Sequence, residues 1–273
     1  MKTRMLAAAA LLPVLLVILL AAPKFVVALI WGALLAIGAY EMLFRTGLVT
    51  EARLVIYACA SAVLMTMWSY LEGGHAWLLL IVMLVMGLYF AEMMMSHVKI
   101  TFDKAAMCLV AGLLVPLLLT SLIRILGMKI GRYVVLIPFV VAFMSDSGAY
   151  FAGMFFGKHK LAPVISPKKT VEGAIGGVVC AVVGMLIYCL ILDLPLPKLN
   201  FRVNYLYAVI YGALGSVLGV FGDLCFSVLK RQTGIKDYGN LIPGHGGVLD
   251  RFDSMMLVGP LMEALLLLIP VVS

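Results

Sequence analysis

Long apolar runs separated by short polar clusters fill almost the whole of this 273-residue chain. A helix needs about 20 apolar residues to cross a bilayer. Runs near 5–22, 25–43, 53–71, 76–95, 105–126, 133–156, 172–192, 204–229 and 252–272 approach or reach that length. The pattern predicts an all-α polytopic membrane protein with about nine transmembrane helices. The first run follows Lys2 and Arg4 and ends Leu20-Ala21-Ala22, as a signal peptide would. A second run starts directly after Pro23 and Lys24, which favours a helical hairpin instead. No internal repeat is visible, so the two-fold architecture common in transporters gains no support.

Composition agrees with the pattern. The chain is 64% hydrophobic and 12% charged, with a mean hydropathy of +1.16. A soluble chain of this size carries about twice that charge. The five cysteines, Cys59, Cys108, Cys180, Cys189 and Cys225, lie scattered in apolar runs without a C-x-x-C pair. They read as core-filling residues, not as zinc ligands or a disulfide framework. The net charge of +7 points to anionic lipid and a positive-inside bias, not to nucleic acid. With the N-terminus in the cytoplasm, fourteen Lys and Arg fall inside and six outside. Both large polar loops are then cytoplasmic.

Three polar constellations break the apolar pattern. Asp223, within the eighth run, shares a helical face with Ser227 and with Lys230 or Arg231. A carboxylate inside a membrane helix costs roughly 2.5–3.5 kcal/mol on insertion scales, so something must offset it; packing against Lys230 is the plain alternative. The second constellation is Pro243-Gly244-His245-Gly246-Gly247 followed by Asp250-Arg251-Phe252-Asp253. Its glycines allow backbone N–H groups to converge on an anion. Its carboxylates, at i and i+3, suit either a helix start or a hard cation. The third joins Asp146, on a face with Tyr150 and Gly153, to Lys158-His159-Lys160 and Ser166-Pro167-Lys168-Lys169-Thr170. Ser166 and Pro167 read as an N-cap and first helical position, which would put Lys168 and Lys169 at a helix N-terminus. The alternative there is an ordinary positive-inside loop. Glu41 and Glu92 read as solvated or snorkelling at helix ends, and mid-run Glu263 requires a partner.

The stretch Ser227–Asp253 resembles the signature of the phosphatidate cytidylyltransferase (CDP-diacylglycerol synthase) family, bacterial type. That pattern runs S-x-hydrophobic-K-R, four residues, K-D, then P-x-H-G-G-x-x-D-R-x-D, and each fixed position is matched. Upstream, D-S-G-A-Y-F-A-G, G-K-H-K-L, I-S-P-K-K-T-V-E-G and G-D-L resemble the rest of the family's core; Ser147 stands where many relatives have Thr. The resemblance covers roughly 140–260. It implies N-terminal transmembrane helices over 1–130 and a catalytic transmembrane region over 131–273, within one integrated membrane domain.

The resemblance also implies a reaction: CTP and phosphatidic acid give CDP-diacylglycerol and pyrophosphate at the cytoplasmic face of a bacterial inner membrane. On that reading Asp223 and Asp250 ligate Mg²⁺, with Asp253 and Asp146 as further ligands or anchors. A second cation is compatible with the same carboxylates. Lys230, Arg231, Lys236 and Arg251 bind phosphates. Gly244, His245, Gly246 and Gly247 cradle the triphosphate. Lys168 and Lys169, with Ser166, Thr170 and Ser227, complete the substrate-binding set. The partners are CTP, phosphatidic acid and membrane lipid, with no nucleic acid; a homodimer stays open. A CTP-dependent polyprenol or dolichol kinase would use similar loops but needs a base for the alcohol. An ion- or proton-coupled transporter could use Asp146, Asp223 and Glu263 as a relay, yet it leaves the glycine turn and the clustered cations unexplained.

Overall fold

The computed structural model describes residues 13–96, 99–194, 202–239 and 246–272. Among these, seven helices are long and apolar enough to cross a membrane, as a multi-pass protein requires. The first eight residues of the first predicted span, 5–12, lie outside the described residues, and 13–21 are helical. The last predicted span is shorter than expected. Leu249–Phe252 forms a separate short helix, and the apolar helix that follows covers only Met255–Leu268, with Pro260 inside it. The polar pair Asp253-Ser254 interrupts what the hydrophobic pattern alone joins.

The described chain groups into two compact units, Met1–Lys129 with Lys230–Phe252, and Ile130–Leu229 with Asp253–Ser273. In the first, α1 (Lys24–Tyr40) runs into a π-helical turn, Glu41–Arg45. Then come α2 (Ala52–Tyr70), α3 (His75–Met95) and α4 (Phe102–Gly127), the last with its own π-helical turn at Val110–Leu114. The small residues let these helices close on one another. A Cβ on Gly112 would stand 2.9 Å from the backbone of Ala58, so only glycine lets α4 approach α2 this closely. Trp31 is buried and donates its indole N–H to the Leu119 carbonyl at 3.0 Å. Arg124 donates to Ser69 Oγ, Thr120 Oγ1 and the Leu117 carbonyl, so this cation within an apolar helix has oxygen partners.

The second unit contains α5 (Ile137–Phe156), a two-stranded antiparallel ribbon of β1 (Lys160–Ala162) and β2 (Ser166–Thr170), and α6 (Val171–Leu192). The 28-residue α7 (Tyr205–Gln232) follows. The short helix α8 (Leu249–Phe252) belongs to the first unit, and α9 (Met255–Leu268) to the second. Helices α5 and α6 meet through small residues: a Cβ on Gly177 would lie 2.9 Å from the Ser145 carbonyl. A buried hydroxyl pair, Ser145 and Ser216 at 2.7 Å, ties α5 to α7.

The ribbon corrects one expectation. Lys168 and Lys169 do not open a helix; they lie on β2, and α6 starts at Val171. Thr170 is the N-cap, its hydroxyl accepting the Gly173 N–H at 3.1 Å. Glu172 then accepts the backbone N–H groups of Lys158 and His159 and meets His159 Nδ1 at 2.6 Å. These contacts fold the preceding loop back, so residues 166–170 pair as a strand.

Candidate functional site

Within the second unit, Asp223 sits on α7 among apolar neighbours and has two partners. Its Oδ2 meets Lys169 Nζ at 2.5 Å, and its Oδ1 accepts the Ser227 hydroxyl at 3.2 Å. The Ser227 contact is the i, i+4 face that the sequence shows. The Lys169 contact comes from the last turn of the ribbon and is invisible to local spacing. Both side chains are about a quarter exposed, at 24% for Lys169 and 27% for Asp223. The pair therefore offsets the burial of the carboxylate while staying open to solutes. One residue earlier, Gly222 lets the Asp253 carbonyl approach: a Cβ there would stand 2.9 Å from that oxygen. The Asp253 carboxylate accepts the Ser254 N–H at 2.8 Å. Asp146, on α5, is exposed, and both it and Glu263 have polar or electrostatic partners. Lys168 is exposed on β2, and Ser166 is half-buried.

Within the first unit, Asp250 organises the signature segment. Its side chain is 3% exposed, and its oxygens have three donors. Oδ1 meets Lys230 Nζ at 3.0 Å; Oδ2 accepts the N–H of Tyr238 at 2.8 Å and of Gly247 at 2.9 Å. Lys230 also lies 5.5 Å from the centre of the buried Tyr238 ring. Gly246 has φ +86, the left-handed region, and a Cβ there would come within 2.8 Å of Asp250 Oδ2. The N–H of Gly247, expected to face a phosphate, is thus committed to Asp250. Gly244 and His245 lie outside the described residues. Arg231, Lys236 and Arg251 are exposed.

Two residues read from sequence as solvated are not. Glu92 is 9% exposed and accepts the Tyr57 hydroxyl at 3.0 Å, with Arg53 at 3.8 Å. Glu41 is 3% exposed and accepts the Leu249 N–H at 3.1 Å across 208 residues of sequence. The only sequence signal for Glu41 is a carboxylate at the end of an apolar run, which also fits a snorkelling side chain.

Chemically, these residues supply two ammonium–carboxylate pairs, Lys169–Asp223 and Lys230–Asp250, together with exposed cations and a glycine-shaped turn. Such groups bind phosphate and hard cations.

Comparison with known proteins agrees with this chemistry. The cytidylyltransferase family's sequence profile matches residues 2–269. The phosphatidate cytidylyltransferase of Bacillus subtilis (strain 168) is 42% identical over 169 residues, 62% of this chain and 60% of that protein. The Staphylococcus haemolyticus (strain JCSC1435) protein of the same name is 43% identical over 137 residues, 50% of each chain. A Staphylococcus saprophyticus protein, again of that name, is 44% identical over 137 residues. The aligned region thus spans 50–60% of the length of these curated relatives. With a family match running from residue 2 to residue 269, the chain belongs to the cytidylyltransferase family.

Proposed function

We propose that this protein transfers the cytidylyl group of CTP to phosphatidic acid. A phosphate oxygen of the lipid forms the new bond to the α-phosphorus of CTP. The bond from that phosphorus to the bridging oxygen of the β-phosphate breaks, and pyrophosphate leaves. The observation that carries the proposal is the Lys230–Asp250 pair locked to Tyr238 and Gly247 inside a fully matched family signature. The names of the aligned relatives point the same way.

The lipid's phosphomonoester has a second pKa near about 6, so its dianion is available at neutral pH without a strong base. The work left to the protein is to align two polyanions and to balance charge on the leaving pyrophosphate. Exposed Lys236, Arg231, Arg251 and Lys168 are proposed to hold phosphates, and Lys169 and Lys230 to orient the paired carboxylates.

Mg²⁺ belongs to the same proposal. Asp223 keeps lone pairs beyond its contacts with Lys169 and Ser227, and Asp250 has three donors for about four lone-pair sites. Hard carboxylate oxygens suit an ion that binds one or two carboxylates and fills its shell with water and phosphate. Among the described residues, no three His, Cys, Asp or Glu side chains gather closely enough to hold an ion by themselves. Substrate phosphates would therefore complete the shell, with Asp253 and Asp146 as further proposed ligands or anchors. The ion would supply charge neutralisation on the transferring and leaving phosphates. The N-terminus and both signature loops are proposed to face the cytoplasm of a bacterial inner membrane, on the Lys and Arg bias.

Purified protein in mixed micelles tests the reaction through pyrophosphate release. Release that requires both CTP and phosphatidic acid, and that Asp250→Asn abolishes, is the expected result. Release without lipid, or an Asp250→Asn variant as active as wild type, would count against the proposal.

A further inference from the structure

Helix α1 carries no motif, yet one face of it backs the signature segment. Trp31, Gly38 and Glu41 lie at i, i+7 and i+10 on that face. The Trp31 ring meets Phe252 edge-on with centroids 5.0 Å apart. A Cβ on Gly38 would stand 3.2 Å from Leu249 Cδ2, so this glycine makes room for that side chain. Glu41 opens the π-helical turn at the end of α1. Such turns break the α-helical register and are frequent at functional sites.

The Glu41 carboxylate is 3% exposed and accepts the Leu249 N–H at 3.1 Å. It also fills the space two glycines leave. A Cβ on Gly247 would come within 2.5 Å of both Glu41 oxygens, and a Cβ on Gly239 would collide with the same carboxylate. Neither glycine has a positive φ, so backbone conformation does not require glycine at these positions; contact with Glu41 does. Gly247 is therefore held between two carboxylates, donating its N–H to Asp250 while its Cα faces Glu41.

We propose that Glu41 is a positioning residue for the nucleotidyl-transfer site: it fixes the Gly247–Asp250 segment so that Asp250 stays registered on Lys230, Tyr238 and Gly247. The proposal rests on the cytidylyl-transfer reading for its effect on catalysis, but not for the contact itself. Glu41 acts through Asp250 and touches no reacting atom.

The test is a double-mutant cycle between positions 41 and 247, read by thermal unfolding and by steady-state kinetics. Gly247→Ala alone is expected to be severe, because its new methyl meets the Glu41 carboxylate. Shortening the acid with Glu41→Asp makes room, so Glu41→Asp/Gly247→Ala should unfold at a higher temperature than Gly247→Ala alone. The same double variant should recover kcat. Glu41→Gln, which keeps size and an acceptor, should retain kcat within about tenfold; Glu41→Ala should lose on the order of 100-fold in kcat, the cost of a small misplacement near reacting groups. The CTP KM should change little in both. If Glu41→Ala does not fold, Glu41→Asp and Glu41→Gln carry the kinetics. Equal Gly247→Ala defects in both backgrounds would overturn the contact. Coupling in unfolding with an unaffected kcat in Glu41→Ala or Glu41→Asp would overturn the positioning role. A wild-type protein that releases no pyrophosphate would reject the reaction reading, and the unfolding cycle would still decide whether the clamp exists.

Discussion

A carboxylate as enclosed as Asp250 must find donors or lose its charge. It finds three, one of them Lys230, whose side chain is 12% exposed. Removing one partner of such a pair costs about 3–5 kcal/mol, because the other charge is left buried. Asp250→Asn should therefore lower the unfolding temperature as well as activity, and adding Lys230→Met should restore part of the stability but none of the activity. Unfolding followed by tryptophan fluorescence reads the first effect. Exposed Lys236 should behave differently: Lys236→Ala should raise the CTP KM by about tenfold, the worth of one charge-assisted hydrogen bond, with unfolding unchanged. The pairing of Asp223 with Ser227 was legible, since helical periodicity brings i and i+4 together. The pairings of Asp223 with Lys169 and of Leu249 with Glu41 were not, because each bridges distant segments that no local pattern links.

At the scale of elements, hydrophobic run length located most helices well, since lipid demands about 20 apolar residues wherever a helix crosses. It overran at the last span, where Asp253-Ser254 separates two helices, and the Ser166-Pro167 capping pattern misplaced the start of α6. The ribbon at Ser166–Thr170 forms because Thr170, not Ser166, caps α6. Thr170→Ala should destabilise by about 1 kcal/mol, and Thr170→Ser should largely spare the cap. Close helix approach makes a second prediction. A Cβ on Gly212 would stand 2.6 Å from Val182 Cα on α6, so Gly212→Ala must push two backbones apart and lower the unfolding temperature. On the first unit, Glu51 hydrogen-bonds Lys104, which holds its carboxyl below the usual value of 4.5. Its folded value is depressed, so the tie stabilises above pH 4.5 and is lost as pH falls through the lower folded value. The unfolding-temperature gap between wild type and Glu51→Gln should be open at pH 7 and close under acid.

For the whole molecule, seven long apolar helices describe a multi-pass protein, and the Lys and Arg bias supports the proposal that its signature loops face the cytoplasm. A cysteine placed at Lys236 should react with an impermeant thiol reagent only from the cytoplasmic side, and one placed at Lys129 only from the other. The central claim is which phosphorus of CTP ends in lipid, and isotopic position answers it. Wild-type protein is given phosphatidic acid, Mg²⁺ and CTP labelled at either the α- or the γ-phosphorus. The account predicts that α-label enters the lipid fraction as CDP-diacylglycerol while γ-label leaves as pyrophosphate. Label from the γ-position in lipid, with none from the α-position, would contradict it and identify a kinase instead.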